Sequence, residues 1–536
     1  MEQNPYLKKS DAGLVITDEG HEFLSNLVTD TKGPVYAFTD QAPRLLVAAA
    51  MARLSRRGDD FRKIYLDEFA TVGPEQAEAL IHRVVTAYGD DSVQQLLPIA
   101  LVVENASNIL TKRLEWGRLL AYLEQSTRYI FYDQKNEKGQ YCYFVPEHLS
   151  ETLLARYRGD MDSIFALYSE MVRSITEILR RKIPEPREKQ ERIAWLGATR
   201  AQACDAVRPV LPASTTSTVG IVGSAQGFES MILHLASDPL SECRETGMRI
   251  LREVRKVARA FFERADLPER GGAFVAYCMD TKEAVQRVIR ENLSGITADD
   301  SSRLVTLLEY WPKDELELVP EMLFDQTGLP VEELKRIVSG WSREKKIEAF
   351  NAYTGERMNR RHRPGRAIEK AHYEWEIVGD YGTFRDLQRH RIVDMWDWQR
   401  LTPRYGFDVP ALVSESGFEK QFRECFSISQ DLYDLIGESG FGEEAQYATL
   451  LGQRMRYRFM INARESFHIH ELRTGPQGHP GYRKIVQEMH NKLSEVHPLL
   501  GKAMKFVNMG EDPELTRLAA ERATQKKLAL LENKGN

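Results

Sequence analysis

Gln388-Arg389-His390-Arg391, followed downstream by Pro403-Arg404-Tyr405, has an altered copy earlier in the chain at Glu124-Gln125-Ser126-Thr127-Arg128-Tyr129. Repetition of this kind governs the reading of the fold, because a duplicated unit must show matching landmarks in matching order. Behind Glu124–Tyr129 come Val207-Arg208-Pro209-Val210-Leu211-Pro212, then Ser224-Ala225-Gln226, then Glu242-Cys243-Arg244. Behind Arg400–Tyr405 come Ala445-Gln446-Tyr447-Ala448-Thr449-Leu450-Leu451, then Asn462-Ala463-Arg464, then Gly481-Tyr482-Arg483. The three later landmarks share an offset of roughly 240 residues, and the first has a larger one because the first half carries a longer middle segment.

Length points the same way. A chain of 536 residues exceeds what one hydrophobic core organises, so two domains of roughly 250 residues are expected. We place them at 1–265 and 273–536, divided by Asp266-Leu267-Pro268-Glu269-Arg270-Gly271-Gly272, where Pro and Gly coincide. With 42% hydrophobic, 28% charged and 9% aromatic residues, the composition is that of a soluble globular protein and excludes a disordered or fibrous chain. A net charge of −6 argues against duplex nucleic acid as the main partner, so any basic site is local.

The apolar run Leu96–Val103 is too short to span a bilayer, and Met1-Glu2-Gln3-Asn4-Pro5 lacks the pattern of a signal peptide. The expectation is a cytoplasmic protein with no membrane partner. Cys142, Cys204, Cys243, Cys278 and Cys425 are scattered and never spaced Cys-x-x-Cys, which indicates reduced thiols rather than disulfides or a zinc site.

Apolar spacings of three and four predict helices through Leu45–Leu54, Ile164–Leu179, Met248–Phe262 and Leu432–Ile436. Alternation predicts short strands at Tyr141–Val145, Ala371–Val378 and Met455–Ile461. The fold class is therefore α+β, helix-rich, with small mixed β-sheets. Gly220-Ile221-Val222-Gly223-Ser224-Ala225-Gln226-Gly227 matches neither phosphate-loop nor dinucleotide spacing and is expected to form a turn before a helix. His468 and His470, two apart on a predicted helix, cannot share a face, so no metal site is expected. Arg454, Arg456 and Arg458 alternate as the polar face of a strand does, while their nearness to Asn462 also suits a phosphate role.

Several clusters suit an anionic ligand. Arg389, His390 and Arg391 place cationic donors together, as a diphosphate requires, and equally suit a solvated basic loop. Ser126 and Arg128 offer a hydroxyl and a guanidinium to a phosphate, with Glu124 beside them to orient a sugar or base; a helix cap with a surface ion pair is the structural alternative. Asn462 and Arg464, at i and i+2, splay to different sides of a helix, as contacts to separate parts of one extended ligand would, or as a simple cap would.

Together these landmarks resemble the flavin-dependent thymidylate synthase family, whose signature is Arg-His-Arg, a variable stretch, then Ser-x-Arg-Tyr. The resemblance extends through Asn462-Ala463-Arg464-Glu465-Ser466-Phe467-His468 and Glu471-Leu472-Arg473 to Gln477-Gly478-His479-Pro480, and covers most of both halves. Ala48–Ser55 is similar to the family's N-terminal helix, and Gly89-Asp90-Asp91-Ser92 to its Gly-His-Glu turn, with Asp90 in place of histidine. His362, ahead of Pro364-Gly365-Arg366, resembles the histidine of that turn in the second half. Arg389 to Tyr405 is longer than the family's spacing, and Thr402 is followed by Pro403.

Loss of motif residues differs between the halves. The first keeps Glu124, Ser126, Arg128 and Arg208, but has Trp116-Gly117-Arg118 for Arg-His-Arg, Ser224 and Gln226 for Asn and Arg, and Leu235 for the last arginine. The second keeps Arg389, His390, Arg391, Asn462, Arg464 and Arg473, but has Arg400 and Thr402 for Glu and Ser, and Gln446 for the arginine before Leu-Pro. The resemblance thus implies one composite site between complementary halves.

On that reading dUMP is held by Glu124, Gln125, Ser126, Thr127, Arg128 and Arg208, with Arg389 and Arg473. FAD is held by Arg389, His390, Arg391, Asn462, Arg464 and His468. Arg473 faces the pyrimidine as the catalytic cation, favouring the anionic ring and raising nucleophilicity at C5, so that no cysteine nucleophile is needed. The implied reaction is reductive methylation of dUMP to dTMP, with methylenetetrahydrofolate and NADPH as co-substrates and no metal, in a homodimer forming a pseudo-tetramer. A related flavoenzyme acting on another pyrimidine nucleotide, and a noncatalytic nucleotide- or RNA-binding protein on the same fold, are the alternatives. Whether the site lies within one chain or between two is open at this level.

Overall fold

The computed structural model describes residues 4–11, 13–54, 56–71, 79, 82, 91–296, 304–513, 515 and 517–532. Gly89 and Asp90 of the Gly-Asp-Asp-Ser run, and Ser55, lie outside the described residues. Contacts divide the chain into two compact units: one contains residues 1–104, 113–124 and 218–297, the other 105–112, 125–217 and 298–536.

The first unit opens with a hairpin of β1 (Leu7–Ser10) and β2 (Gly13–Ile16), which packs with the helices around Leu24, Val28 and Leu66. Its larger sheet has the order β3-β5-β4, with β3 at Pro98–Ser107, β4 at Leu120–Glu124 and β5 at Thr216–Ser224. The expected turn at Gly220–Gly227 is instead strand running straight into the helix Ala225–Ala236. Gly220 and Gly223 pair with Leu123 and Leu120 of β4, and a Cβ on Gly223 would come within 2.4 Å of the Leu120 side chain. The glycines therefore serve close strand approach rather than a bend. Helix Ser241–Phe262 packs on Ala225–Ala236, with Gly247 admitting the fully buried Leu235.

The second unit is built on an antiparallel sheet of order β6-β7-β9-β8: Val305–Trp311, His372–Asp380, Arg454–Asn462 and Met395–Trp398. Alternation turns Tyr373, Trp375 and Ile377 of β7 and Met455, Tyr457, Phe459 and Ile461 of β9 into the core. On the other face Arg456 pairs with Glu376 at 2.6 Å and Arg458 with Asp397 at 3.3 Å, so these arginines bind carboxylates of neighbouring strands. The helices Glu151–Lys182, Lys189–Val207 and Glu419–Glu438 pack together, and Leu518–Glu532 lies along Lys189–Val207. Among the described residues no helix is long and apolar enough to cross a membrane. The cysteines are free thiols.

Tyr141–Val145 is not a strand. Only Tyr143 forms a β-bridge, with Thr215, and Pro146 ends the pairing because it has no N–H to continue a ladder. Tyr141 and Tyr143 pack instead on Phe165 of the long helix.

Positions that correspond between the halves adopt the same local structure. Ser107 at the end of β3 and Asp380 at the end of β7 each cap a seven-residue helix, Asn108–Leu114 and Tyr381–Leu387. Ser224 and Asn462 likewise cap the helices that follow β5 and β9. Ser126 Oγ accepts from Arg128 N at 3.2 Å, and Thr402 Oγ1 from Arg404 N at 3.3 Å. Within the second unit two corresponding segments pair with each other. Pro212 bridges Leu450, Ala213 N donates to Thr449 O at 2.7 Å, and Leu451 N donates to Leu211 O at 2.8 Å. Exchanging the halves converts each of these two bonds into the other, the reciprocity of a two-fold axis between repeats.

Candidate functional site

Three helix ends of the second unit converge. The Asp380 carboxylate accepts from Thr383 N and starts the helix Tyr381–Leu387, which stops at Gln388 and releases Arg389-His390-Arg391. Gln388 Nε2 donates to Lys112 O at 3.0 Å, and Tyr381 OH to Asn108 O at 2.7 Å, anchoring this turn to the corresponding helix of the first half. The Asn462 carboxamide caps Ala463–Arg473, so that Arg473 falls in the last turn, where the helix dipole favours a cation. Lys189–Val207 delivers Asp205 near its end and Arg208 just beyond it.

Between them lies a cavity of about 190 Å³ lined by Gln125, Ser126, Thr127, Arg128, Tyr129, Arg208, Gly382, Arg385, Asp386, Arg389, Arg473, Tyr482 and Arg517. Residues retained by the first half thus meet residues retained by the second, within one chain. Arg128 is fixed by Asp205, with Nε and Nη2 donating to its carboxylate at 2.6 and 2.5 Å, both side chains buried. Two of the five guanidinium N–H groups are thereby used, and the others can reach a ligand. Arg208 Nη2 lies 3.4 Å from Asp386 Oδ2. Burial opposes the Asp386 charge, but the guanidinium groups of Arg208, Arg389, Arg473 and Arg128 hold its carboxyl well below the usual range. Ser126, whose oxygen accepts from Arg128 N, keeps a hydroxyl proton to donate.

A second cavity, of about 510 Å³, is lined by Arg360, Arg361, Arg363, Phe467, His468, Glu471 and Leu472. A hydrogen-bonded chain joins the linings of the two cavities. Arg473 Nε donates to His390 Nε2 at 2.9 Å, while His390 Nδ1 and His468 Nδ1 each lie 3.0 Å from Glu465 Oε1. An arginine has no acceptor, so His390 carries its proton on Nδ1 and presents a lone pair to Arg473. Burial lowers the His390 pKa to about 4, so the ring is neutral at neutral pH. The carboxyl of Glu465, although burial opposes its charge, is held down to about 2 by hydrogen bonds from the two imidazoles. His390, Glu465 and His468 have the mutual spacing of metal ligands, with ligand atoms within 4.8 Å of one another, but the same atoms are engaged in this network. His470 turns the other way, 5.6 Å from His490, as its two-residue offset from His468 requires.

The remaining sequence candidates sit elsewhere. Glu124 is buried at the end of β4, opposite Val219 in the first unit. Asn462 acts as a helix cap; Arg464 donates from Nε to Pro364 O and pairs with Glu369; Arg391 is exposed; none of the three lines either cavity. In the first unit Trp116 stacks on His234 at 4.3 Å, and Leu235 is core. Sequence reading missed Arg385 and Arg517, which lie outside the motifs, and gave no site role to Tyr482 although it stands in the landmark Gly481-Tyr482-Arg483. It also missed Arg360, Arg361 and Arg363, although the dense run Arg357–Arg366 was a visible signal of local positive charge. Three of the cysteines are buried, and burial pushes the Cys204 thiol up to about 12, far from a reactive thiolate.

Comparison with known proteins gives a consistent picture. The family described as thymidylate synthase complementing protein matches residues 35–258 and again 306–499. The chain is 30% identical over 501 residues to a UPF0159 protein of Thermoplasma acidophilum, covering 88% of this chain and 97% of that one. It is 29% identical over 522 residues to a UPF0159 protein of Chlamydia muridarum, covering 94% and 97%. Among solved structures, a UMP/dUMP methylase PolB from Streptomyces cacaoi bound with 5-Br dUMP aligns over 38% of this chain and 93% of its own, at 15% identity and a TM-score of 0.31, too loosely to bear on activity.

Proposed function

This chain belongs to the thymidylate synthase complementing protein family, and from that premise we propose that it is a nucleotide-methylating flavoenzyme that converts dUMP to dTMP. The observation that carries the reading is the single cavity in which Ser126, Arg128 and Arg208 of one half meet Arg389 and Arg473 of the other. The halves 1–265 and 273–536 are read as tandem repeats that have divided the site, a layout supported by the two separate family matches and the reciprocal pairing of Leu211–Ala213 with Thr449–Leu451. Two such chains would form the pseudo-tetramer.

Each residue has a chemical task. Arg128, held at one edge by Asp205, offers its other N–H groups to the nucleotide phosphate, and Ser126 and Thr127 add hydroxyl donors. Arg208 and Arg389 balance the remaining phosphate charge. Arg473, oriented through His390, lies beside the pyrimidine and favours its N3-deprotonated form, which increases electron density at C5. With no low-pKa thiol in the cavity, this electrostatic activation takes the place of covalent activation.

A flavin fits the neighbouring cavity by its donors. Arg360, Arg361 and Arg363 suit a diphosphate, Phe467 and Leu472 an aromatic ring system, and His468 leads through Glu465 and His390 to Arg473. Arg391, Asn462 and Arg464, which line neither cavity, are assigned to the same cofactor by the family motif. When bound, FAD would relay hydride from NADPH for reduction of the one-carbon unit supplied by methylenetetrahydrofolate. The protein's part is to hold, orient and exclude water.

The visible spectrum of the purified chain with FAD, recorded before and after dUMP, tests the proposal. A bound-flavin spectrum that shifts with dUMP, followed by dTMP in the complete assay, is expected. Failure to bind flavin at any concentration refutes the flavoenzyme reading, and methylation of a different pyrimidine nucleotide instead of dUMP corrects the substrate.

A further inference from the structure

We propose that Arg517, delivered by the C-terminal segment, is an anion-binding residue of the cavity that holds Arg128 and Arg208, where it grips the phosphate of the nucleotide. The inference rests on the nucleotide reading of that cavity and extends it to a residue outside both family-matched regions, the second of which ends at residue 499.

The side chain is built into the wall. Its guanidinium carbon lies 4.4 Å from the centroid of the Tyr129 ring, next in sequence to Arg128. The helix that follows, Leu518–Glu532, packs along Lys189–Val207, with Arg522 Nε 2.7 Å from Glu191 and the Glu521 carboxylate against Gly197. Arg517 therefore rides on the same helix pair that presents Asp205, and its position is set by packing rather than by a loop.

The charge arrangement leaves a cationic excess, with six arginines and one aspartate in the lining. The Arg517 side chain is only 19% exposed; its Nε forms an ion pair with Glu521 Oε1 at 3.7 Å and makes no hydrogen bond among the described residues. Arg128 stands close enough to act on it, and burial together with that neighbouring cation pushes the Arg517 pKa down. A guanidinium does not give up its proton at neutral pH, so two largely buried cations, each with one carboxylate partner, line one space. A phosphate placed between them accepts from N–H groups of both and neutralises their repulsion. Tyr129 holds the Arg517 plane so that little side-chain freedom is lost when the anion arrives. The C-terminal segment thereby makes the cavity discriminate a nucleotide from its nucleoside.

Calorimetric titration of the full chain with dUMP, deoxyuridine and inorganic phosphate tests this, using wild type, Arg517→Ala and Arg517→Gln. The glutamine variant keeps a stem over Tyr129, and its unfolding midpoint is matched to wild type. Both variants are expected to bind dUMP about 10- to 100-fold more weakly, the loss of a charge-assisted contact, with deoxyuridine binding unchanged. dUMP affinity within twofold of wild type, or an equal loss for deoxyuridine, overturns the role of Arg517 while leaving the methylation reading intact. If wild type ignores dUMP but binds phosphate in an Arg517-dependent way, the nucleotide reading falls and the anion role stands. If it binds neither, both fall.

Discussion

Replacing Asp205 with alanine gives the most direct measure of how the cavity is held. The carboxylate accepts two guanidinium bonds from Arg128, at 2.6 and 2.5 Å, with side-chain exposures of 5% and 9%. Arg128 cannot neutralise itself, so the substitution leaves a desolvated cation whose neighbours Arg208, Arg389, Arg473 and Arg517 are also cationic. Removing one partner of a buried pair costs about 3–5 kcal/mol, more than the net worth of the pair, because the partner left behind stays buried. The double variant Arg128→Met/Asp205→Ala should recover part of that loss, since no charge remains unpaired. Thermal unfolding followed by circular dichroism reads both effects, with and without dUMP. In Asp205→Ala the phosphate becomes the counter-ion of Arg128, so dUMP should raise the midpoint by at least as much as in wild type. A single variant within about 1 kcal/mol of wild type, or a double variant less stable than the single, would refute the reasoning that a desolvated ion pair positions Arg128.

Other consequences follow from the same geometry. Chains carrying Arg208→Ala mixed with chains carrying Arg473→Ala should regain no activity, because both arginines line one cavity of one chain; recovery in the mixture would place the working site between chains. Glu465→Ala leaves His390 and His468 without their shared acceptor and frees Arg473 to shift. The expectation is a fall in kcat of about a hundredfold with KM for dUMP little changed, and equal losses in both parameters would contradict a positioning role. Stability should decline as the solution is acidified from neutral. Burial holds His390 down to about 4 and His479 to about 3, so the unfolded chain takes up these protons near pH 6.5 and the folded one resists until lower pH. With both folded pKa values below the unfolded value, stability is lost as pH falls through that window, by up to about 1.4 kcal/mol per group per pH unit. The depressed Glu465, near 2 in the fold, adds a loss of the same sign below about pH 4.5. An unfolding midpoint that is flat from pH 7 to 4 would show these imidazoles to be solvated.

Much of the fold was legible because local rules set it. The alternation in Arg454–Asn462 and His372–Asp380 produces β9 and β7 with the expected faces, and the helices through Ile164–Leu179 and Met248–Phe262 lie within longer ones. The misreadings share a cause, namely that a partner segment decided the outcome. Tyr141–Val145 alternates like a strand but has only the short reach of Thr215 beside it, and Gly220–Ser224 reads as a turn until β4 draws it into a sheet. Within the site, Asn462 proved to be the helix cap that its position allowed, and Arg454, Arg456 and Arg458 pair with carboxylates.

By itself the sequence determined the duplication, the family and the division of motif residues between the halves, because each is written in residue identity and order along one dimension. Only the tertiary structure decided that Ser126, Arg128 and Arg208 share a cavity with Arg389 and Arg473 in one chain. The same holds for the approach of Arg517 from the turn before the helix Leu518–Glu532 and for the line from Arg473 through His390 to Glu465 and His468. These are meetings of charges far apart in sequence, and no local propensity encodes them. They arise where helix ends converge, where packing fixes which buried cation receives a carboxylate and which is left facing the cavity.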